Sequence, residues 1–212
     1  MPLGDYPILE VILRQLAYFR FDRVTLAVNH QADLIRAFCG DGHKWNLEID
    51  YSLEDKPLST IGPLTLIPDL PENFILMNGD VLTDLDFGEL YDNHVNANRL
   101  FTIAASEREH MVDYGVLHTN EQQRLTGFEE KPVLHYLVSM GVYVLNRQML
   151  ATVPPGTKYG FDNLMIDSLA AGQPVEVVRW PGYWLDIGRV DDYMRAIDEF
   201  EAKREQLIRN GN

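Results

Sequence analysis

A chain of 212 residues can bury one sizeable core but is short for two ordinary domains. With 46% hydrophobic and 24% charged residues, it has the balance of a globular protein rather than a disordered one. Asp and Glu number 32 against 18 Lys and Arg, a net charge of −14 that would repel nucleic acid and anionic membranes alike. A phosphorylated small ligand is compatible with that charge if a metal ion brings the anions together. The single Cys39 excludes an intramolecular disulfide and a cysteine-rich zinc site. The start, Met1-Pro2-Leu3-Gly4-Asp5, has no basic segment leading into an apolar one, and no apolar run approaches the roughly 20 residues that cross a bilayer. The expectation is a soluble, cytoplasmic, single domain over residues 1–212.

Leu9, Ile12, Leu13, Leu16 and Phe19 recur at spacings of three and four and predict a helix that Pro7 opens. Residues 24–28 read as a β-branched strand, 32–38 as a helix stopped by Gly40-Asp41-Gly42, and 47–52 as an alternating strand. A short helical turn is expected over 62–67. Phe74-Ile75-Leu76-Met77, a continuous apolar run, predicts a strand buried on both faces. A helix over 87–98 and a strand over 100–105 follow, then strands over 114–119, 125–129 and 141–145. Helices over 162–171 and from 190 to about 209 bracket a strand at 175–178. The alternation predicts an α/β fold with a mixed, mostly parallel sheet flanked by helices, and antiparallel strands added at one edge. The chain enters a helix almost at once, where α/β units usually open with a strand, so a first strand is expected to be missing, with a genuinely helical start as the alternative.

There is no Walker loop, dinucleotide fingerprint, His-Glu-x-x-His helix or nucleophile elbow. The six histidines, at 30, 43, 94, 110, 118 and 135, have no metal-ligand spacing and read as surface or structural residues. The sharpest signal is Asn78-Gly79-Asp80 after the apolar run. A carboxylate at the C-terminal end of a buried strand is well placed to hold Mg²⁺, although Asn-Gly-Asp is also ordinary turn chemistry. In Trp184-Leu185-Asp186-Ile187-Gly188, Asp186 points away from its apolar neighbours and Gly188 allows a close approach. A second metal carboxylate and a helix cap, or a partner for Arg189, are both open. In Glu129-Glu130-Lys131-Pro132 the proline predicts an extended Lys131 projecting into a cleft, suited to a phosphate, with Glu130 suited to hydroxyls. A solvated charged turn is the alternative. The loop from Leu53 to Pro63, with Glu54 and Gly62 in it, could admit a flat ligand or simply connect.

Taken in order, these segments resemble the sugar-1-phosphate nucleotidyltransferases, or nucleotide-sugar pyrophosphorylases, in the branch of mannose-1-phosphate guanylyltransferase-like and general NDP-sugar synthases. The resemblance runs from Pro7-Ile8-Leu9-Glu10 through Leu58-Ser59-Thr60-Ile61-Gly62-Pro63, Asn78-Gly79-Asp80, Tyr114-Gly115-Val116, Glu130-Lys131-Pro132 and Ser139-Met140-Gly141 to the Trp184 motif. It implies a Rossmann-like nucleotide-diphospho-sugar transferase fold. The implied reaction is attack of a sugar-1-phosphate on a nucleoside triphosphate, giving an NDP-sugar, GDP-mannose-type, and pyrophosphate. By the same resemblance Asp80 and Asp186 would hold catalytic Mg²⁺, Lys131 would contact the sugar phosphate and Glu130 the sugar hydroxyls. Gly115, Ser139 and Gly141 would line the sugar pocket, Glu54 and Gly62 would lie near the base, and Asp162 on the sugar side.

Two departures stand out. The family's opening strand, Gly-rich loop and Pro-Lys-Pro segment are absent, which predicts reduced turnover, and the exposed neighbouring strand predicts self-association. Ser59 stands where the family loop, Leu-Gly-Thr-Ala-Gly, has glycine. A non-catalytic sugar-nucleotide-binding or regulatory subunit and a metal-dependent glycosyltransferase are the competing functions.

Overall fold

The computed structural model describes residues 1–29 and 31–209; His30 lies outside them. β1 (Pro2–Leu3) and β2 (Tyr6–Pro7) form a minimal antiparallel pair that turns the chain into α1 (Ile8–Tyr18). Of the predicted stripe Ile12, Leu13 and Leu16 are buried and Leu9 and Phe19 half-buried, and Val11 is buried beside them; each fully buried side chain contributes roughly 1.5–3 kcal/mol of hydrophobic stabilisation. β3 (Arg23–Val28) crosses through α2 (Ala32–Cys39) to the parallel strand β4 (Glu48–Leu53). A 3₁₀ turn (Gly62–Leu66) precedes β5 (Asn73–Met77) and β6 (Val81–Thr83). α3 (Phe87–Asn96) starts at Asp86, whose carboxylate accepts the Glu89 N–H at 2.7 Å. β7 (Phe101–Met111), β8 (Gly115–Thr119), β9 (Leu125–Glu130) and β10 (Val133–Asn146) follow. The chain ends with α4 (Phe161–Ala170), β11 (Glu176–Arg179), β12 (Trp184–Asp186) and α5 (Val190–Leu207).

The main sheet has the order β11-β7-β10-β5. It is mixed, as expected, but parallel pairing within it is confined to β11–β7, while β10 runs antiparallel to both neighbours. The late strands also depart from the expected edge position, since β10 is inserted between β7 and β5. The cause is connectivity: β10 returns from β7 through the β8–β9 hairpin without a helical crossover, so it must run back beside it. Alternation along β10 splits its burial between two cores. Val142 and Val144 join α1, Phe87 and Phe200 on one face, and Tyr143 and Leu145 join Phe101 and Leu164 on the other.

The β3–β4 pair is not hydrogen-bonded to the main sheet. Val24 of β3 and Ile75 and Met77 of β5 nevertheless pack against one cluster that includes Val11, Ile12 and Leu16 of α1. Among the described residues β3 and β5 each keep one unpaired edge. For that reason Ile75, Leu76 and Met77 are half-buried rather than enclosed as their apolar run predicts. Among the described residues no helix is long and apolar enough to cross a membrane.

His94 is wholly buried, with Nδ1 2.8 Å from Thr102 Oγ1 and Nε2 unpartnered among the described residues. Burial, then the nearby Arg99 charge, holds its imidazole below the usual 6.5. The neutral form is favoured in the fold, so its stabilisation is complete above the ordinary histidine range and is lost as pH falls below it. The thermal midpoint should drop more between about pH 7.5 and about pH 5 in the parent than in His94→Gln. Equal drops would show that other groups drive the acid limb.

Candidate active site

Antiparallel pairing of β12 with β6 sets Asp186 opposite Val81, the residue after Asp80. The Ile187 N–H then donates to the Asp80 carbonyl at 3.0 Å, so the two acidic residues share one backbone junction. Leu185 and Ile187 are fully buried, which turns Asp186 the other way, as its alternation predicts. Gly188 completes the junction. A Cβ there would stand 2.7 Å from Asp80 Oδ2 and 3.1 Å from Asp186 Oδ1, so both carboxylates crowd the space that glycine leaves. Burial first, and the Asp186 charge second, push the Asp80 carboxyl above its ordinary range. The Asp186 carboxylate makes no ion pair with the Arg189 guanidinium among the described residues and does not cap α5; its Oδ1 accepts the Gly188 N–H at 3.2 Å.

A bulge in β10 over 139–143 buttresses this junction. The Gly141 carbonyl accepts the Asn78 N–H at 2.9 Å, and the Met140 carbonyl accepts the Trp184 indole N–H at 2.9 Å. The turn carrying Asp80 and the strand carrying Asp186 are therefore held by adjacent residues of one bulge, Gly141 and Met140. Ser139 donates its hydroxyl to the Tyr143 oxygen at 3.0 Å and accepts the Gly141 N–H at 3.3 Å, so Ser139 is tied to Gly141, which in turn holds the residue two before Asp80.

Glu130 and Gly115 face one another in the β8–β9 hairpin, where a Cβ on Gly115 would meet the Phe128 ring at 2.6 Å and Glu130 Oε2 at 3.3 Å. Lys131 follows with φ +46, left-handed rather than extended as Pro132 predicts. Proline disfavours the right-handed helical region of its predecessor, and the abrupt change from β9 to β10 selects the left-handed alternative. Lys131 is exposed, and no hydrogen bond or ion pair among the described residues joins the Glu130-Lys131 turn to Asp80 or Asp186. The hairpin is exposed on both faces at the end of a β7–β10 ribbon whose outer half is also solvent-facing.

The third group closes a loop. Glu54 Oε2 accepts the Leu58 N–H at 2.9 Å, turning that carboxylate into its own loop. The Ile61 and Gly62 N–H groups both donate to the Tyr159 carbonyl, at 3.0 and 2.9 Å, and Gly62 is buried. Thr60 Oγ1 accepts the Phe161 N–H at 2.8 Å, capping α4 in the turn where exposed Asp162 sits. Thus 58–62 is stitched to 157–161.

Two half-buried carboxylates converging beside exposed Gly188 suit Mg²⁺, which takes one or two protein oxygens and leaves its other positions to water and phosphate. The described residues contain no group of three or more His, Cys, Asp or Glu side chains placed for a metal. The nucleotidyl transferase family profile matches residues 1–203. The chain belongs to that family. It is 28% identical to UTP–glucose-1-phosphate uridylyltransferase of Synechocystis sp., over 93% of this chain and 56% of that protein. It is 27% identical to the mannose-1-phosphate guanylyltransferase catalytic subunit beta of Dictyostelium discoideum, over 100% of this chain and 62% of that one. The chain thus spans a little over half the length of these relatives. Its fold resembles that of HddC from Yersinia pseudotuberculosis, with a TM-score of 0.72 at 22% identity, covering 94% of this chain and 88% of that one.

Within this family fold, Ser59 has φ +67, a left-handed conformation that glycine adopts freely and serine at a cost. Ser59→Gly is expected to stabilise the chain by about 0.5–1 kcal/mol, measured as a thermal midpoint higher by roughly 2–4 °C. An unchanged or lower midpoint would mean that the serine hydroxyl compensates the backbone strain.

Proposed function

We propose that the chain carries out sugar-1-phosphate nucleotidyl transfer, with mannose-1-phosphate and GTP as the favoured pair. The convergence of Asp80 and Asp186 on Gly188 carries the reading. The base and sugar preference draws on the relatives named as mannose-1-phosphate guanylyltransferases from Dictyostelium, Arabidopsis and Mycobacterium tuberculosis. In the reaction, a phosphate oxygen of the sugar phosphate forms a bond to the α-phosphorus. The bond from that phosphorus to the bridging oxygen breaks, and pyrophosphate leaves with the electron pair. The attacking oxygen is already ionised at neutral pH, so no protein nucleophile is needed, and positioning with charge neutralisation supplies the catalysis.

Asp80 and Asp186 would hold a Mg²⁺ ion, which when bound offsets phosphate charge. Lys131 would bind the sugar phosphate and Glu130 the sugar hydroxyls, with Gly115 keeping the hairpin open beside Glu130. Ser139 and Gly141 would form the sugar-side wall, with Asp162 beyond it. Glu54 and Gly62 would act on the base by shaping the 58–62 loop.

A thermal-shift titration with a panel of nucleotide sugars, with and without Mg²⁺, tests this. Mg²⁺-dependent stabilisation by one nucleotide sugar, GDP-mannose in the favoured case, lost in Asp80→Ala and Asp186→Ala, is the expected result. Stabilisation that survives both substitutions would remove the carboxylate pair from the site.

A further inference from the structure

One buried acidic residue beside the site is not used by the reaction as proposed. Asp192, 5% exposed, lies in the first turn of α5. Its Oδ1 accepts Arg108 Nη1 at 3.1 Å, and its Oδ2 contacts Arg108 Nη2 in a two-pronged pair. The same Oδ2 accepts the backbone N–H of Asp186 at 3.1 Å. The Arg108 guanidinium also lies over the Trp184 ring, 4.6 Å from its centroid. Arg108 thus touches the residue two before Asp186 directly and reaches Asp186 itself through Asp192.

We propose that Arg108 and Asp192 form a clamp that positions Asp186 for the metal, an inference that rests on the metal-site reading above. Both Asp192 oxygens are engaged, so it is not a ligand. Stability alone gives a poor reason for the arrangement, because a buried ion pair is often matched or bettered by apolar side chains of the same size. The helix dipole is a poor reason too, because Asp191 beside it also lies in that first turn while remaining exposed. What the pair supplies is direction. β12 is three residues long and ends at Asp186, so the strand ladder alone fixes that carboxylate weakly. Asp192 holds the amide, the Arg108 stack holds Trp184, and the Asp186 carbonyl accepts the Arg189 N–H at 3.1 Å. Arg108 belongs to the outer half of β7, so the clamp also ties the ribbon bearing the Glu130-Lys131 turn to the carboxylate pair.

The test is Mn²⁺ affinity of the full chain, read by water-proton relaxation, in the parent, Asp192→Asn, Arg108→Lys and the double variant. Asp192→Asn keeps an acceptor for the Asp186 amide but loses the charge. Arg108→Lys keeps a charge but loses the fork and the stacked plane. Each single variant should weaken Mn²⁺ binding about tenfold, as outer-shell changes commonly do, and the double variant no more than the worse single. The Mg²⁺ concentration for half-maximal turnover should rise in parallel. Asp50→Asn, which breaks the surface pair with Arg23 on β3–β4, should leave affinity unchanged. A lower thermal midpoint with parental Mn²⁺ affinity in both single variants would make the pair merely structural and overturn the clamp alone. A parent whose Mn²⁺ binding is not lost in Asp80→Asn or Asp186→Asn would overturn the metal-site reading, and the clamp with it.

Discussion

Asp80→Asn is expected to reduce nucleotidyl transfer by at least about a hundredfold while raising the thermal midpoint of the metal-free chain by a few degrees. The first effect follows from losing one of two carboxylates that would hold the ion, a loss comparable to removing an oriented electrostatic group from an active site. The second follows from the direction of the Asp80 shift. Burial and the facing Asp186 charge both disfavour its ionised form, so at neutral pH the charged carboxylate costs stability that an amide of the same shape does not. Pyrophosphate release and thermal denaturation in chelator would measure the two together. Opposite signs are the mark of a functional carboxylate kept against its own stability. If both quantities fall, Asp80 is holding its turn and the ordinary Asn-Gly-Asp reading is the better one.

Most of what the carboxylate pair needs was legible in the residues. An apolar run delivers Asp80 to a strand end, and alternation across Leu185-Asp186-Ile187 dictates which way the second carboxylate faces. Their meeting was not legible, because it depends on β6, a three-residue strand hidden in Val81-Leu82-Thr83, and on its pairing across a hundred residues with β12. The clamp was invisible for a related reason. Arg108 lies in Glu107-Arg108-Glu109-His110, between the strands expected over 100–105 and 114–119. The structure continues β7 through it because the equally exposed start of β10 pairs with it, Arg108 opposite Tyr136. Pairing between two solvent-facing strands leaves no one-sided apolar pattern to read. At Lys131 the local rule for residues before proline predicts extended backbone, and chain reversal, a tertiary requirement, overrode it with a positive φ.

Two glycines of the site, Gly79 and Gly141, separate in a way that composition does not show, and Gly141→Ala should be the more damaging change of the two. Gly141 has φ +73, and a Cβ would come 2.8 Å from Asn78 Nδ2 and 3.3 Å from Val81 Cγ2. Left-handed strain of about 1–2 kcal/mol adds to overpacking of about 1–3 kcal/mol, so a loss of roughly 2–5 kcal/mol is expected. The displaced neighbour matters more than the total. Gly141 accepts the Asn78 N–H, and Val81 stands opposite Asp186, so backbone strain at Gly141 is passed directly to the carboxylate junction. Mn²⁺ affinity should therefore fall along with the midpoint. Gly79, inside the Asn-Gly-Asp signature, is the contrast: its φ is not in the left-handed region, and nothing lies within 4 Å of an added Cβ. Gly79→Ala should change stability by no more than about 0.5 kcal/mol. Denaturation and Mn²⁺ titration of the two variants side by side would decide the matter. A tolerant Gly141 with a sensitive Gly79 would mean that the turn, not the bulge behind it, sets the carboxylate geometry.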